Sequence, residues 1–330
     1  MLTRIVFGSL AISVLLAVAV SDAFIADKAQ ESWPLGLLLG RGSLIPVVLT
    51  GIVMLGVVEL VRLLRALGSR PQAAWAALSC AVLMLSPWLC AGGIVGDSPV
   101  DVEAVQWQIA WLTIAMLGAV VVHLPRGATP TAVGDLGATW LVILYLGFLP
   151  SFMVQIRCDA NVGAAAEGAW HVLIVLAVAF ASDVGALFFG MSFGRHKLAP
   201  AISPGKTIEG FVGGVLSSVA VVFGLRAIAN HTAPPPDLAM TSMEHMSAFA
   251  DQFTSLIARM SILQAIIFGI VISIATQVGD LFESVIKRAA GAKDSSSVVP
   301  GMGGVLDVID GVIFAGPVAW FLLTKMWGLV

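Results

Sequence analysis

Apolar residues run along this chain in long unbroken stretches, with the polar residues gathered into short gaps between them. A hydrocarbon core of roughly 30 Å takes about 20 helical residues to cross. Nine stretches are long enough: 5–22, 44–67, 73–95, 105–123, 132–155, 169–191, 208–229, 259–282 and 304–326. None alternates with a period of two, so helices rather than barrel strands are expected to satisfy the backbone in lipid. The pattern predicts an all-α polytopic membrane protein of about nine transmembrane helices. In the first stretch, Ala17-Val18-Ala19 offers a small-residue cleavage site behind a single Arg4. That stretch is long for the core of a cleaved leader, so residues 1–22 are expected to remain as a helix. The longest polar gap, Asn230 to Arg259, holds Pro234-Pro235-Pro236 and reads as a linker or an interfacial helix. No internal period supports a repeat architecture.

Composition strengthens this picture. Hydrophobic residues make up 58% of the chain and charged residues 11%, against about 45–50% and about 25% in ordinary globular proteins, so a soluble fold is not expected. A net charge of −3 excludes a globally basic nucleic-acid binder, and no nucleic-acid partner is expected. Cys80, Cys90 and Cys158 have no metal-ligand or redox spacing. Where the few charges lie is more informative. With the N-terminus cytoplasmic, eleven of seventeen basic residues fall on the inside: Arg4, Arg62, Arg65, Arg70, Arg126, Arg195, Lys197, Lys206, Lys287, Arg288 and Lys293. The opposite loops, around Asp97, Asp101 and Glu103 and around Asp237 and Glu244, are acid-rich. Nine helices and an N-in, C-out topology support each other.

Ionisable groups at membrane depth are costly and mark functional sites by default. Asp183 stands inside the sixth stretch, where a ligand for a cation or substrate competes with a packing pair. Asp280, Glu283 and Lys287 fall at i, i+3 and i+7, on one helical face at the end of the eighth stretch. A segment rich in Gly and Ser follows, from Lys293-Asp294-Ser295-Ser296-Ser297 to Pro300-Gly301-Met302-Gly303-Gly304, and permits close backbone approach and positive φ. Asp307 and Asp310 then sit i, i+3 where the ninth stretch begins. Two such carboxylates repel unless a cation bridges them, and hard oxygen ligands suit Mg²⁺ with substrate phosphates. Between the sixth and seventh stretches, Phe193 to Gly210 supplies Lys206, Ser203 and Thr207, with Ser203 or Thr207 placed to cap the following helix. Its three basic residues obey the positive-inside rule equally well without a catalytic purpose, and the sequence leaves both readings open. The predicted topology brings all four polar sets to the cytoplasmic leaflet, where they can meet in one cavity.

These residues resemble the phosphatidate cytidylyltransferase (CDP-diacylglycerol synthase) family. Ser284, Lys287, Arg288, Lys293, Asp294, Ser296, Pro300, Gly303, Gly304, Asp307 and Asp310 stand at the spacing of its signature. Ser182-Asp183-Val184-Gly185-Ala186 and Leu198 to Gly210 are similar to its core, so the likeness spans about 175–315. Three positions depart: Val299 for a larger apolar residue, Met302 for His and Val308 for Arg. Met302 cannot donate a hydrogen bond or carry a proton, and His196 is the imidazole available on the same side. The chain accordingly divides into N-terminal scaffold helices, 1–165, and a catalytic transmembrane domain, 166–330.

The resemblance implies that CTP and phosphatidate react to give CDP-diacylglycerol and diphosphate, with Mg²⁺ as cofactor; a second, monovalent cation is left open. It implies metal ligands at Asp183, Asp280, Asp307 and Asp310, and catalytic groups at Lys287, Arg288, Lys293 and Asp294. Ser203, Lys206, Thr207, Ser284, Ser296, Gly303 and Gly304 would bind substrate. A homodimer in a bacterial inner membrane, its site facing the cytoplasm, belongs to the same expectation. The alternatives are a divergent or inactive relative acting on another lipid phosphate, and an ion-coupled transporter, for which the chain lacks internal symmetry.

Overall fold

The computed structural model describes residues 42–91, 100–158, 167–232, 256–301 and 303–329, with 14, 16–22 and 24–25. Among these residues, eight helices are long and apolar enough to cross a membrane. They are α1 (Leu44–Ala66), α2 (Ala73–Ala91), α3 (Val100–His123), α4 (Ala132–Cys158), α5 (Glu167–Phe193), α6 (Ile208–Thr232), α7 (Ile262–Ala289) and α8 (Leu306–Trp320). Each matches one of the second to ninth apolar stretches, and the chain is an integral membrane protein of the all-α polytopic class. Most of the first stretch, the triple proline and Met302 lie outside the described residues.

Local chemistry sets the boundaries. α7 starts at Ile262 because Ser261 and Gln264 form a capping box: Ser261 Oγ accepts the Gln264 N–H at 3.2 Å, and Gln264 Oε1 accepts the Ser261 N–H at 2.8 Å. α4 widens into a π turn over Ile143–Phe148, and α8 runs on through another, Phe321–Met326. The segment between α5 and α6 is a finding the apolar pattern did not contain. Lys197–Ala199 (β1) and Ser203–Thr207 (β2) form an antiparallel hairpin, pairing Lys197 with Thr207 and Ala199 with Ser203. Glu209 fastens its base, accepting the Arg195 N–H at 3.0 Å and bonding His196 Nδ1 at 2.6 Å. The Arg288 Nε–H reaches Ile202 O at 3.3 Å and ties the turn to α7.

Two apolar clusters fill the bundle. One gathers around α5 with α7, α8 and the end of α4. The other joins α1, α2 and the middle of α4, and also takes in Ile286 of α7 with Leu306 and Ile313 of α8. Beside the first, a polar seam links three helices: Ser182 and Ser273 hydroxyls lie 2.7 Å apart, and Gln277 Nε2 donates to Ser273 Oγ at 3.1 Å and to Phe211 O of α6 at 3.3 Å.

Hydrogen bonds fasten one set of helix ends together. The Arg70 N–H donates to Asp135 at 2.6 Å, Arg126 donates to Arg70 O at 2.8 Å, and Gln72 donates to Ala119 O at 2.8 Å. Together these join the α1–α2 turn to the α3–α4 turn. The hairpin and the α7–α8 loop lie at the same end, so the described basic residues that the sequence assigns to one side do share it. At the other end Asp22 and Arg157 form a closed ion pair at 2.5 Å, both almost fully buried.

Candidate active site

The site forms where α7 and α8 cross. Gly279 permits the crossing: a β-carbon there would lie 2.4 Å from Asp310 O. Because the backbones touch, Asp280 and Glu283 of α7 meet Asp310 of α8, and one oxygen from each lies within 4.8 Å of the others. Glu283 and Asp310 are buried and Asp280 is partly so. At that separation and an effective dielectric of about 20, each pair of ionised carboxylates repels by roughly 3.5 kcal/mol. Two lysines offset part of this: Lys206 Nζ lies 2.7 Å from Asp280, and Lys287 Nζ pairs with Glu283. Glu283 Oε1 is buried and accepts no hydrogen bond among the described residues. Three hard oxygen donors, one with an unused lone pair, form a donor set that fits a divalent cation such as Mg²⁺. On the apolar side the cluster is closed by rings: Phe282 stands 5.1 Å from Tyr145 and 5.6 Å from Phe314. Tyr145 belongs to the π turn of α4, a distortion that recurs at functional sites.

Asp307 is placed differently from the expectation that it shares a cation with Asp310. It is not one of the three gathered carboxylates. Its Oδ1 lies 2.5 Å from Lys287 Nζ, and its Oδ2 accepts from Ser295 N (2.9 Å), Ser295 Oγ (2.8 Å) and Gly304 N (2.6 Å). Both oxygens are therefore engaged by the protein. Although i, i+3 spacing put the two acids on one face, Lys287 and the loop hold Asp307 while the crossing gives Asp310 to α7. Lys287 thus bridges Asp307 and Glu283.

Beside the acids opens a cavity of about 390 Å³ between α5, α6, α7 and the hairpin. Asp183, Ser203, Lys206, Thr207, Gln277 and Asp280 supply its polar wall, while Leu187, Met191, Leu198 and Phe211 supply the apolar one. Such a mixed lining suits an amphiphile with a charged head. Thr207 Oγ1 also accepts the Gly210 N–H at 3.1 Å, so it caps α6 as its position suggested. Ser284 stays near Asp280 at 3.5 Å. Arg288, in the last turn of α7, and Lys293 and Asp294 beyond its end are exposed and do not line the cavity.

Gly303 has a φ of +103°, and a β-carbon on Gly304 would lie 2.0 Å from Ser295 Oγ and 2.4 Å from Glu59. The close approach at these glycines is therefore to the protein's own carboxylates. Ser296 likewise donates to Glu59, at 2.6 Å.

Comparison with known proteins places the chain in a family. Residues 33–326 match the Cytidylyltransferase family. The chain belongs to that family. A phosphatidate cytidylyltransferase of Thermotoga maritima is 31% identical over 220 residues, which are 66% of this chain and 71% of that protein. Proteins of the same name are similar in Staphylococcus epidermidis, 37% identical over 159 residues (48% of this chain, 51% of that one), and in Haemophilus influenzae, 30% identical over 211 residues (63% and 64%). The chain thus aligns with about half to about seven-tenths of the length of these relatives.

Seen as a cytidylyltransferase-family site, the arrangement includes two carboxylates that sequence reasoning did not assign. Glu283 stands on the charged stripe of α7, and Glu59 lies inside the second apolar stretch. The signal for both is the rule that singled out Asp183, a carboxylate at membrane depth.

Proposed function

We propose that this protein is a phosphatidate cytidylyltransferase, joining CTP and phosphatidate into CDP-diacylglycerol and diphosphate. The observation that carries this reading is the cavity beside the Asp280–Glu283–Asp310 cluster, with Lys206 at their junction. In the reaction an oxygen of the lipid phosphate forms a bond to the α-phosphorus of CTP. The bond from that phosphorus to the bridging oxygen breaks, and its electrons leave with diphosphate. Little covalent chemistry is asked of the protein, so positioning and charge neutralisation carry catalysis.

Asp280, Glu283 and Asp310 are the ligands proposed for Mg²⁺, with Asp183 on the cavity wall beside them. When bound there, the ion supplies charge neutralisation for phosphate oxygens. Lys206 holds a substrate phosphate from the hairpin, and Ser203 and Thr207 line the same wall. Asp307 keeps Lys287 extended toward Glu283 and orients it. Arg288, Lys293 and Asp294 stand outside the cavity, so a role for them is confined to the part of the nucleotide that projects from it. The gathering of basic residues at this end supports a cytoplasmic-facing site in a bacterial inner membrane. A homodimer belongs to the same reading.

The deciding experiment supplies purified protein with labelled CTP, phosphatidate and Mg²⁺. A lipid product carrying CMP is expected, and its absence with the wild-type protein defeats the proposal.

A further inference from the structure

Glu59 lies on α1, in the half of the chain that the sequence treats as scaffold, yet it is only 3% exposed. Each of its oxygens accepts one hydroxyl and one amide. Oε1 takes Ser296 Oγ at 2.6 Å and the Val305 N–H at 3.0 Å; Oε2 takes Ser295 Oγ at 2.9 Å and the Leu306 N–H at 2.8 Å. Val305 is the N-cap of α8 and has no side chain able to cap, so Glu59 caps that helix from another helix. The Ser295 hydroxyl is shared with Asp307, whose other oxygen holds Lys287, which pairs in turn with Glu283. A continuous set of contacts therefore runs from α1 to the acid cluster.

We propose that Glu59 is a positioning residue for the active site: it fixes the start of α8 and the Ser295–Ser296 segment, through which Asp307 holds Lys287 against Glu283. The inference rests on the cation-dependent cytidylyltransferase reading for its purpose. Its geometry makes a sharp demand. In Glu59→Gln one oxygen becomes an NH₂ group, which then faces one serine hydroxyl and one backbone N–H. The hydroxyl can rotate to accept, whereas the amide cannot, and two donors are left opposed in a buried place.

The test uses three full-length purified proteins: wild type, Glu59→Gln and Ser295→Ala. Ser295→Ala removes the hydroxyl shared by Glu59 and Asp307 while the Ser295 N–H stays on Asp307. For each, the melting temperature is followed as Mg²⁺ is added without substrate, and lipid product formation is followed over the same Mg²⁺ range. Second-layer groups around a metal typically change affinity by 10–100-fold, and Glu59 acts one layer further out. Half-saturating Mg²⁺ is therefore expected to rise about 10-fold in Glu59→Gln and about 3-fold in Ser295→Ala. If Glu59→Gln and Ser295→Ala melt at lower temperature but keep the wild-type Mg²⁺ midpoint, Glu59 is a structural cap only and the inference is overturned. Should Glu59→Gln fail to fold, Ser295→Ala decides by the same midpoint. A wild type that makes no lipid product defeats the proposed function instead, and the substrate-free Mg²⁺ titration still judges Glu59.

Discussion

Two groups of buried charge sit at opposite ends of the same bundle and are built on different principles. Asp22 and Arg157 are one acid and one base, 2.5 Å apart, and Asp22 also accepts the Leu44 N–H at 2.7 Å. Charge is matched one to one, and the Asp22 carboxylate is closed by its partners. At the other end Asp280, Glu283 and Asp310 crowd together with Asp183 and Asp307 nearby, and among the described residues Lys206 and Lys287 answer them. Acid is left in excess beside a cavity, with an unused oxygen on Glu283. A matched buried pair fixes helices, whereas a surplus of one sign is tolerable only where something from outside completes it.

The contrast is sharpest under substitution. Asp310→Asn takes one acid from the surplus group and should lower turnover by on the order of 1,000-fold, about 4 kcal/mol, without loss of folded protein. Lipid-linked CMP formation per folded molecule measures it, and near-normal turnover would remove Asp310 from the metal site. Arg157→Met leaves Asp22 uncompensated and should cost roughly 3–4 kcal/mol of stability, read as a lower melting temperature, with turnover per folded molecule unchanged. A catalytic defect in that variant would erase the distinction between the two ends. Lys206→Met should reduce kcat/KM for CTP about 10-fold while thermal stability shifts little; the reverse outcome would make the Lys206–Asp280 pair structural. Thr207→Ala removes the cap of α6 and should destabilise by about 1 kcal/mol, read as a lower melting temperature.

The helices were legible because lipid imposes one rule on length and polarity, and Leu44–Ala66 or Glu167–Phe193 obey it almost residue for residue. The hairpin was not, since three- and five-residue strands bounded by Gly and Pro carry no period. Within the site, spacing placed Asp280, Glu283 and Lys287 on one stripe, and the contacts of Lys287 with Glu283 and Asp307 follow from it. Spacing could not divide Asp307 from Asp310, because that depends on which neighbour each meets across the Gly279 crossing. Glu59 was the hardest to see: its partners Ser295, Ser296, Val305 and Leu306 are 236 to 247 residues away in sequence.

That separation also orders events during synthesis. Glu59 emerges with the first described helix, whereas every hydrogen-bond donor assigned to it emerges with the last. Throughout translation of the intervening residues, α1 carries a carboxylate with none of its final partners. A chain that stops before residue 306 lacks at least one of the four. The start of the last described helix, not its completion, is thus the step that gives Glu59 its full set of partners.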